Sequence, residues 1–290
     1  MDATETPVLA ILGAGVMGET VLSGLLRAGW EASQIVATDH RIERREDLTR
    51  RYGITMLENQ EAAAKSDTVI LVVKPQDMAE LLSEIAGVLR PGTLVVSLAA
   101  GVDIASIEAR LGADIPVVRV MPNTPALVDE GMAAISGGTH TTQEHLDHVT
   151  EILSATGRVV TVPERYQDAV TAISGSGPAY LFFVVEAMIE AGVHLGLPRD
   201  VSTELVVQTM LGSAKLLRET GEHPTVLRER VTSPGGTTAA AVRELEDHKV
   251  RAAFLRAIEA ARDRSRELAA VARSGPTPGS PATDTEGARS

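Results

Sequence analysis

The chain has 290 residues, enough for two domains that each bury a core, and its 44% hydrophobic fraction with mixed charges describes a soluble globular protein. Asp and Glu number 39 against 27 Lys and Arg, a formal net charge of −12. That balance argues against broad binding to nucleic acid or anionic membranes, so any anionic ligand must be held locally. Cysteine is absent, which excludes disulfides, thiolate metal sites and a thiol nucleophile while leaving the compartment open.

Met1 to Thr6 is acidic and polar where a secretory signal would be basic and then apolar, so the expected location is the cytoplasm. The short apolar run Pro7 to Leu12 ends in Gly13-Ala14-Gly15-Val16-Met17-Gly18, after which Val21, Leu22, Leu25 and Leu26 fall at helical spacing. Strand, G-x-G-x-x-G, helix is the order a dinucleotide fold requires. Gly13 makes the tight turn, Gly15 lets a pyrophosphate approach, and Gly18 lets helix and strand pack closely.

Gln34 to Thr38 reads as a second strand ending at Asp39, the distance beyond the glycines at which a ribose-binding acid belongs. Asp39 would accept hydrogen bonds from a ribose 2′-hydroxyl and repel a 2′-phosphate, which favours NADH. His40, Arg41, Arg44 and Arg45 follow at once and could pair with that phosphate, or stand as the solvated first turn of the next helix. The choice between NADH and NADPH stays open at this point.

Asn59 to Lys65 forms a short amphipathic piece, and Thr68 to Val73 is a fully apolar strand that stops at Lys74-Pro75. Ligands of open α/β sheets bind outside the carboxyl ends of the strands, so Asn59, Lys74 and Pro75 are expected beside the cofactor. Met78 to Leu89 reads as helix, Thr93 to Leu98 as strand and Val102 to Leu111 as helix. Pro116 to Val120 is a strand that breaks into Met121-Pro122-Asn123-Thr124-Pro125, a stiff loop in which Asn123 can both donate and accept. Gly131 to Ser136 and Arg158 to Val162 are further strands around a helix from Thr142 to Ala155. This alternation predicts an α/β fold: a Rossmann-like, doubly wound, mostly parallel sheet over residues 1–164.

Beyond Pro163 strand periodicity disappears, and residues 165–272 read as an all-helical domain. Ala179 to Leu197 is apolar enough to raise membrane insertion, but Glu186, Glu190 and His194 interrupt it at i, i+4 spacing. It reads as a buried helix of a soluble protein, apolar over so much of its circumference that a second subunit should cover it. The Glu186, Glu190, His194 stripe and the group His140, Glu144, His145 and His148 read as solvated helix faces rather than metal sites. Arg199 to Thr220 is a long helix, and Gly221-Glu222-His223-Pro224 turns the chain.

Val231-Thr232-Ser233-Pro234-Gly235-Gly236-Thr237-Thr238 then runs into the helical composition of Ala239 to Glu246. The free N–H groups and positive dipole end of such a helix start favour a carboxylate, and the hydroxyls of Ser233, Thr237 and Thr238 can donate and accept. The same residues would suit a plainly capped helix. Val250 to Ala270 is a last helix, and the Ser-, Gly- and Pro-rich residues 273–290 read as a disordered tail.

Taken together, Gly13 to Gly18, Val73-Lys74-Pro75, Met121 to Pro125, Ser174-Gly175-Ser176-Gly177-Pro178-Ala179-Tyr180 and Thr232 to Thr238 resemble, in order, the pyrroline-5-carboxylate reductases. The resemblance covers roughly residues 8 to 270 and is carried most specifically by the last motif. It implies NADP- or NAD-dependent reduction of 1-pyrroline-5-carboxylate to L-proline, the final step of proline synthesis. It also implies a helical dimerisation domain and, often, a ring of dimers. Carried over by position, Gly13, Ala14, Gly15, Val16, Met17, Gly18, Asn59, Val73, Lys74 and Pro75 resemble cofactor contacts, to which Asp39 and Asn123 are added from the strand ends. Ser233, Gly235, Gly236, Thr237 and Thr238 fall around the substrate, with the Thr238 hydroxyl expected on the ring nitrogen as the catalytic contact. Asp39 departs from the NADPH use common in the family.

Hydride delivery to an imine needs neither nucleophile nor metal, which suits this composition. A related imine or β-hydroxyacid reductase is the near alternative, but a hydroxyacid enzyme would carry a lysine on the long helix, and Ala169 to Leu195 contains none. A non-catalytic NAD(P)H sensor is the remaining alternative.

Overall fold

The computed structural model describes residues 9–112 and 114–274. Its sheet begins with β1, Leu9–Leu12, four residues that are all buried. They belong to the interior of a parallel sheet covered on both faces, which is why the run is apolar without alternation. After β1 come α1 (Val16–Arg27), β2 (Ile35–Thr38), α2 (Ile42–Tyr52) and β3 (Thr55–Met56), then α3 (Asn59–Lys65), β4 (Thr68–Leu71) and α4 (Met78–Ile85). The alternation continues through β5 (Leu94–Ser97), α5 (Ile104–Leu111), β6 (Val117–Met121), β7 (Gly131–Gly137), α6 (Gln143–Ser154) and β8 (Gly157–Thr161).

The strands lie in the order β3-β2-β1-β4-β5-β6-β7-β8. All neighbours run parallel except β6 and β7, which pair antiparallel. The chain winds outward from β1 in both directions, so β1 and β4 border the switch point of a doubly wound sheet. Side chains alternate between two cores, as the period of two in a strand requires. Leu9 and Ile11 join Val21, Leu22 and Leu25 of α1, Leu48 of α2 and Ile152 of α6. Ala10 and Leu12 join Ala62 and Ala63 of α3, Leu81 and Leu82 of α4 and Ile107 of α5.

The remaining elements are helical: α7 (Gln167–Val170), a π turn over Thr171–Gly175, α8 (Gly177–His194), α9 (Arg199–Thr220), α10 (Pro224–Arg230), α11 (Thr237–Asp247) and α12 (Val250–Ser274). The chain divides by contacts into two units, one ending at Thr171 and resuming at Asp263, the other Ala172–Arg262. The end of α12 therefore groups with the sheet, where Ser265 Oγ donates to Asp168 at 2.8 Å and Ala269 is buried. Residues 273 and 274 of the expected tail close α12, and 275–290 lie outside the described residues.

In the second unit α8 and α9 pair closely at Gly192, where an added Cβ would lie 2.1 Å from Ser202 Oγ. Ser202 in turn donates to the Ile189 carbonyl at 2.9 Å. The expectation of a buried helix is corrected in the single chain: no residue of α8 is buried, and Phe182 and Phe183 are 66% and 72% exposed. One partner helix covers one face only, and α8 is apolar on several. The stretch Glu164–His194 is long and apolar enough to cross a membrane by length and composition, an 18-residue window within it having a mean hydropathy of 1.4. Its polar positions are engaged in part, since Glu190 pairs with Arg199 at 2.7 Å.

Candidate active site

The three glycines of the first turn have three different structural reasons. Gly13 has φ +101°, and a Cβ there would meet the Val72 carbonyl oxygen at 2.7 Å. A Cβ on Gly18 would lie 2.4 Å from the Gly13 carbonyl oxygen, whereas one on Gly15 would meet nothing within 4 Å. Gly15 caps the N-terminus of α1 without a side-chain hydrogen bond, so open space lies in front of uncommitted helix N–H groups. A dinucleotide pyrophosphate fits that cradle, and a side chain there would fill it. Val16 and Met17 begin the helix, with Val16 70% exposed at its mouth.

This turn is locked from behind by β2. Gly13 and Ala14 donate to the Thr38 carbonyl at 3.2 and 2.8 Å, and Gly13 N also approaches Thr38 Oγ1 at 3.3 Å. Thr38 Oγ1 donates to Asn59 Oδ1 at 2.7 Å, and Asn59 Nδ2 donates to Glu84 at 2.9 Å. Asn59 is thus brought to the glycine turn by a buried threonine that the sequence pattern does not single out. A hydroxyl at the end of the strand preceding the ribose-binding acid is the signal that could have found it.

Arg44 departs from both expectations for it, phosphate ligand and solvated helix turn. Its guanidinium donates to the Ala14 carbonyl at 3.0 Å and the Gly15 carbonyl at 3.3 Å, and pairs with Glu19. It braces the turn instead of facing solvent. Burial pushes the Glu19 carboxyl up, but hydrogen bonds from Arg44 and Tyr52 and the charges of Arg44 and Arg51 outweigh it and hold the group below its ordinary range. Tyr52, half-buried against Glu19, is pushed up by burial and by donating to that carboxylate.

Asp39 has a side chain only 5% exposed. Its two oxygens accept from Arg41 Nε and Nη2, each at 3.0 Å, and Oδ1 also accepts the Arg41 backbone N–H at 2.9 Å. Burial raises its pKa, and the Arg41 hydrogen bonds and charge bring it below the ordinary aspartate value. Arg45 pairs with Glu58 at 2.6 Å, while the His40 side chain is 90% exposed.

Across the switch point, Val73, Lys74 and Pro75 follow β4. Val72 N donates to the Leu12 carbonyl at 2.8 Å, which holds this turn against the glycine turn, and Lys74 caps a short 3-10 turn over Pro75–Asp77. Lys74 is exposed, and among the described residues it makes no ion pair. Asn123 has a structural bond of its own, since its Oδ1 accepts from Met132 N at 2.8 Å and ties the proline loop to β7. A small cavity beside it is lined by Met17, Leu98, Pro122 and Asn123.

In the second unit α11 starts at Thr237, with Gly236 as N-cap and no side chain closing the cap. Gly235 has φ +69°, and Gly236 N donates to the Ser233 carbonyl at 3.0 Å. The turn therefore leaves the first N–H groups of an eleven-residue helix uncapped. Thr238 is half-buried and Thr237 and Ser233 are exposed, and among the described residues their hydroxyls make no hydrogen bonds. Uncapped N–H groups of this kind can receive an anion, and the hydroxyls lie on the same turn. Two of the histidines noted in the sequence have structural roles: His145 accepts from Thr142 N at the start of α6, and His148 contacts Thr68 at 3.2 Å.

Two family models match the chain, "Pyrroline-5-carboxylate reductase dimerisation" over residues 164–268 and "NADP oxidoreductase coenzyme F420-dependent" over residues 8–101. The pyrroline-5-carboxylate reductase of Corynebacterium melassecola is 48% identical across 90% of this chain and 98% of its own length. This chain belongs to the pyrroline-5-carboxylate reductase family. The reductase of Pseudomonas aeruginosa is 42% identical over 91% of the chain and 98% of its own length. Among solved structures, a pyrroline-5-carboxylate reductase from Coxiella burnetii matches with TM-score 0.87 and 34% identity, covering 91% of this chain and 98% of that one. A Plasmodium falciparum pyrroline carboxylate reductase with NADP bound matches with TM-score 0.82 and 29% identity, covering 92% of this chain and all of its own. The glycine turn of this reductase thus lies within an NADP oxidoreductase model, and the uncapped start of α11 lies within the dimerisation model.

Proposed function

We propose that this chain catalyses the NAD(P)H-dependent reduction of 1-pyrroline-5-carboxylate to L-proline. The observation that carries this is the 48% identity to a pyrroline-5-carboxylate reductase over 90% of the chain, which takes in both the glycine turn and the α11 start. When bound, the nicotinamide supplies the hydride that reduces the imine carbon.

The chain's residues supply position and charge. Gly15 and the α1 N-terminus receive the pyrophosphate, with Ala14, Val16, Met17 and Gly18 completing that turn. Asn59, Val73, Lys74 and Pro75 surround the cofactor from the neighbouring strand ends, and the free Lys74 ammonium offsets its negative charge. The N–H groups of Gly236 to Thr238 hold the substrate carboxylate, Ser233 and Gly235 shape that turn, and the Thr238 hydroxyl bonds to the ring nitrogen. Holding donor and acceptor in near-attack geometry supplies on the order of 7–11 kcal/mol of the barrier reduction.

The exposed apolar face of α8 supports a dimer, and a ring of dimers is the assembly we assign to the working enzyme, in the cytoplasm. The test is oxidation of NADPH and of NADH with 1-pyrroline-5-carboxylate as acceptor. Turnover with proline as product is expected, and cofactor binding without turnover would instead identify a sensor.

A further inference from the structure

We infer, on the reductase reading, that Arg27 and Asp129 are positioning residues for the hydride step: their ion pair sets where the proline loop stands on the nicotinamide side of the cofactor cleft. The strands lie in the order β3-β2-β1-β4-β5-β6. With a ribose position at the end of β2 and the pyrophosphate turn at the end of β1, the reactive half of a dinucleotide falls to the ends of β4, β5 and β6. The proline loop leaves β6 there. Its Pro122 and Asn123 line a cavity with Met17 of the glycine turn and Leu98 beyond β5.

α1 joins the two sides. Its first turn carries Met17, and Arg27 at its last position clasps Asp129 with two bonds, Nε to Oδ2 at 3.1 Å and Nη2 to Oδ1 at 2.5 Å. Asp129 closes the 3-10 turn Thr124–Val128 with its backbone at φ 60°. Glycine adopts that conformation without steric cost, but only a side chain reaches Arg27. From Asp129 hydrogen bonds run back along the loop: Asp129 N donates to the Ala126 carbonyl at 3.2 Å, Glu130 N to that of Pro125 at 3.1 Å and Ala126 N to that of Asn123 at 3.3 Å. α1 is itself locked in place, since a Cβ on Gly24 would lie 2.4 Å from Thr156 Cγ2. Arg27 therefore holds the loop from a fixed point. Its side chain and that of Asp129 are 50% and 45% exposed, where an ion pair adds little stability, while a planar two-bond pair fixes direction. Placement of the loop is what the clasp supplies.

Asp129→Gly breaks the clasp and suits the backbone, and Arg27→Met breaks it while keeping a helix former. Both full-length variants should bind NADPH within about twofold of the wild type, and Asp129→Gly should melt no lower than the wild type. Single-turnover oxidation of enzyme-bound NADPH by saturating 1-pyrroline-5-carboxylate, followed by stopped flow, should slow about tenfold in both. Arg27→Lys, which keeps one charged contact, should recover part of that rate. The emission lifetime of bound NADPH, a property of the nicotinamide ring, should change in both variants with no imine present. A lower melting temperature in Asp129→Gly, an unchanged hydride rate or emission in either variant, or slowing matched by an equal loss of NADPH affinity would overturn the assignment. Failure of the wild type to oxidise NADPH with the imine would count against the reductase reading instead, and the emission comparison would still decide whether the clasp orders the ring.

Discussion

Thr38 Oγ1 donates to Asn59 Oδ1 across 2.7 Å while facing the Gly13 amide at 3.3 Å, so one buried hydroxyl joins the glycine turn to the start of α3. Thr38→Val and Asn59→Ala should each weaken NADPH binding roughly fivefold, the equivalent of about 1 kcal/mol for a lost hydrogen bond. Their effects should fall short of additive in the double variant, because they break one chain of bonds. Fluorescence titration of bound NADPH reads both values.

Gly18 and Gly15 separate folding from binding. An alanine at Gly18 would drive its Cβ to 2.4 Å from the Gly13 carbonyl oxygen, so Gly18→Ala should destabilise the chain by about 1–3 kcal/mol. Gly15 has nothing within 4 Å, so Gly15→Ala should melt like the wild type yet lose about tenfold or more in NADPH affinity. Thermal melts with and without NADPH distinguish the two.

Thr238→Ala removes a half-buried hydroxyl that makes no bond among the described residues. Stability should be unchanged, and kcat/KM for the imine should fall by about 1–3 kcal/mol equivalent. Steady-state kinetics at saturating NADPH would remove the assignment if T238A matched the wild type.

Glu19 predicts a pH dependence. Its folded pKa lies below the ordinary value, so its contribution to stability is fully present above about pH 4.3, the unfolded value. It is lost as pH falls through the lower folded value, where the Arg44 brace opens. Glu19→Gln should therefore lower Tm near neutrality and lose less on acidification than the wild type. Parallel Tm curves for the two proteins across the acid range would contradict this.

The α8 face predicts association. Phe183→Glu, at a position 72% exposed in one chain, should convert the dimer to monomer in light scattering while the helical signal in circular dichroism stays.

Much of the fold is legible in the order of residues alone. The glycine turn, α3 at Asn59–Lys65, α9 at Arg199–Thr220 and the α11 start at Thr237 lie where turn chemistry and apolar spacing put them, because those signals are local. What escapes depends on partners distant in sequence. β3 has only two residues and forms by pairing with β2. The π turn at Thr171–Gly175 has no sequence period of its own. Arg44 reads as a surface charge until α2 is placed over Ala14 and Gly15. The exposure of α8 cannot be read from one chain's pattern, since a face covered by a second subunit is as apolar as one covered within.

The proposed reaction transfers hydride from a bound nicotinamide to the imine carbon. Incubation of the enzyme with 1-pyrroline-5-carboxylate and NADPH deuterated at C4, on either face of the ring in separate reactions, tests it directly by mass spectrometry of the product. Proline carrying deuterium at its C5 from one of the two cofactors is the predicted result. Unlabelled proline from both, or cofactor oxidised with no proline formed, would rule out direct hydride transfer to the imine.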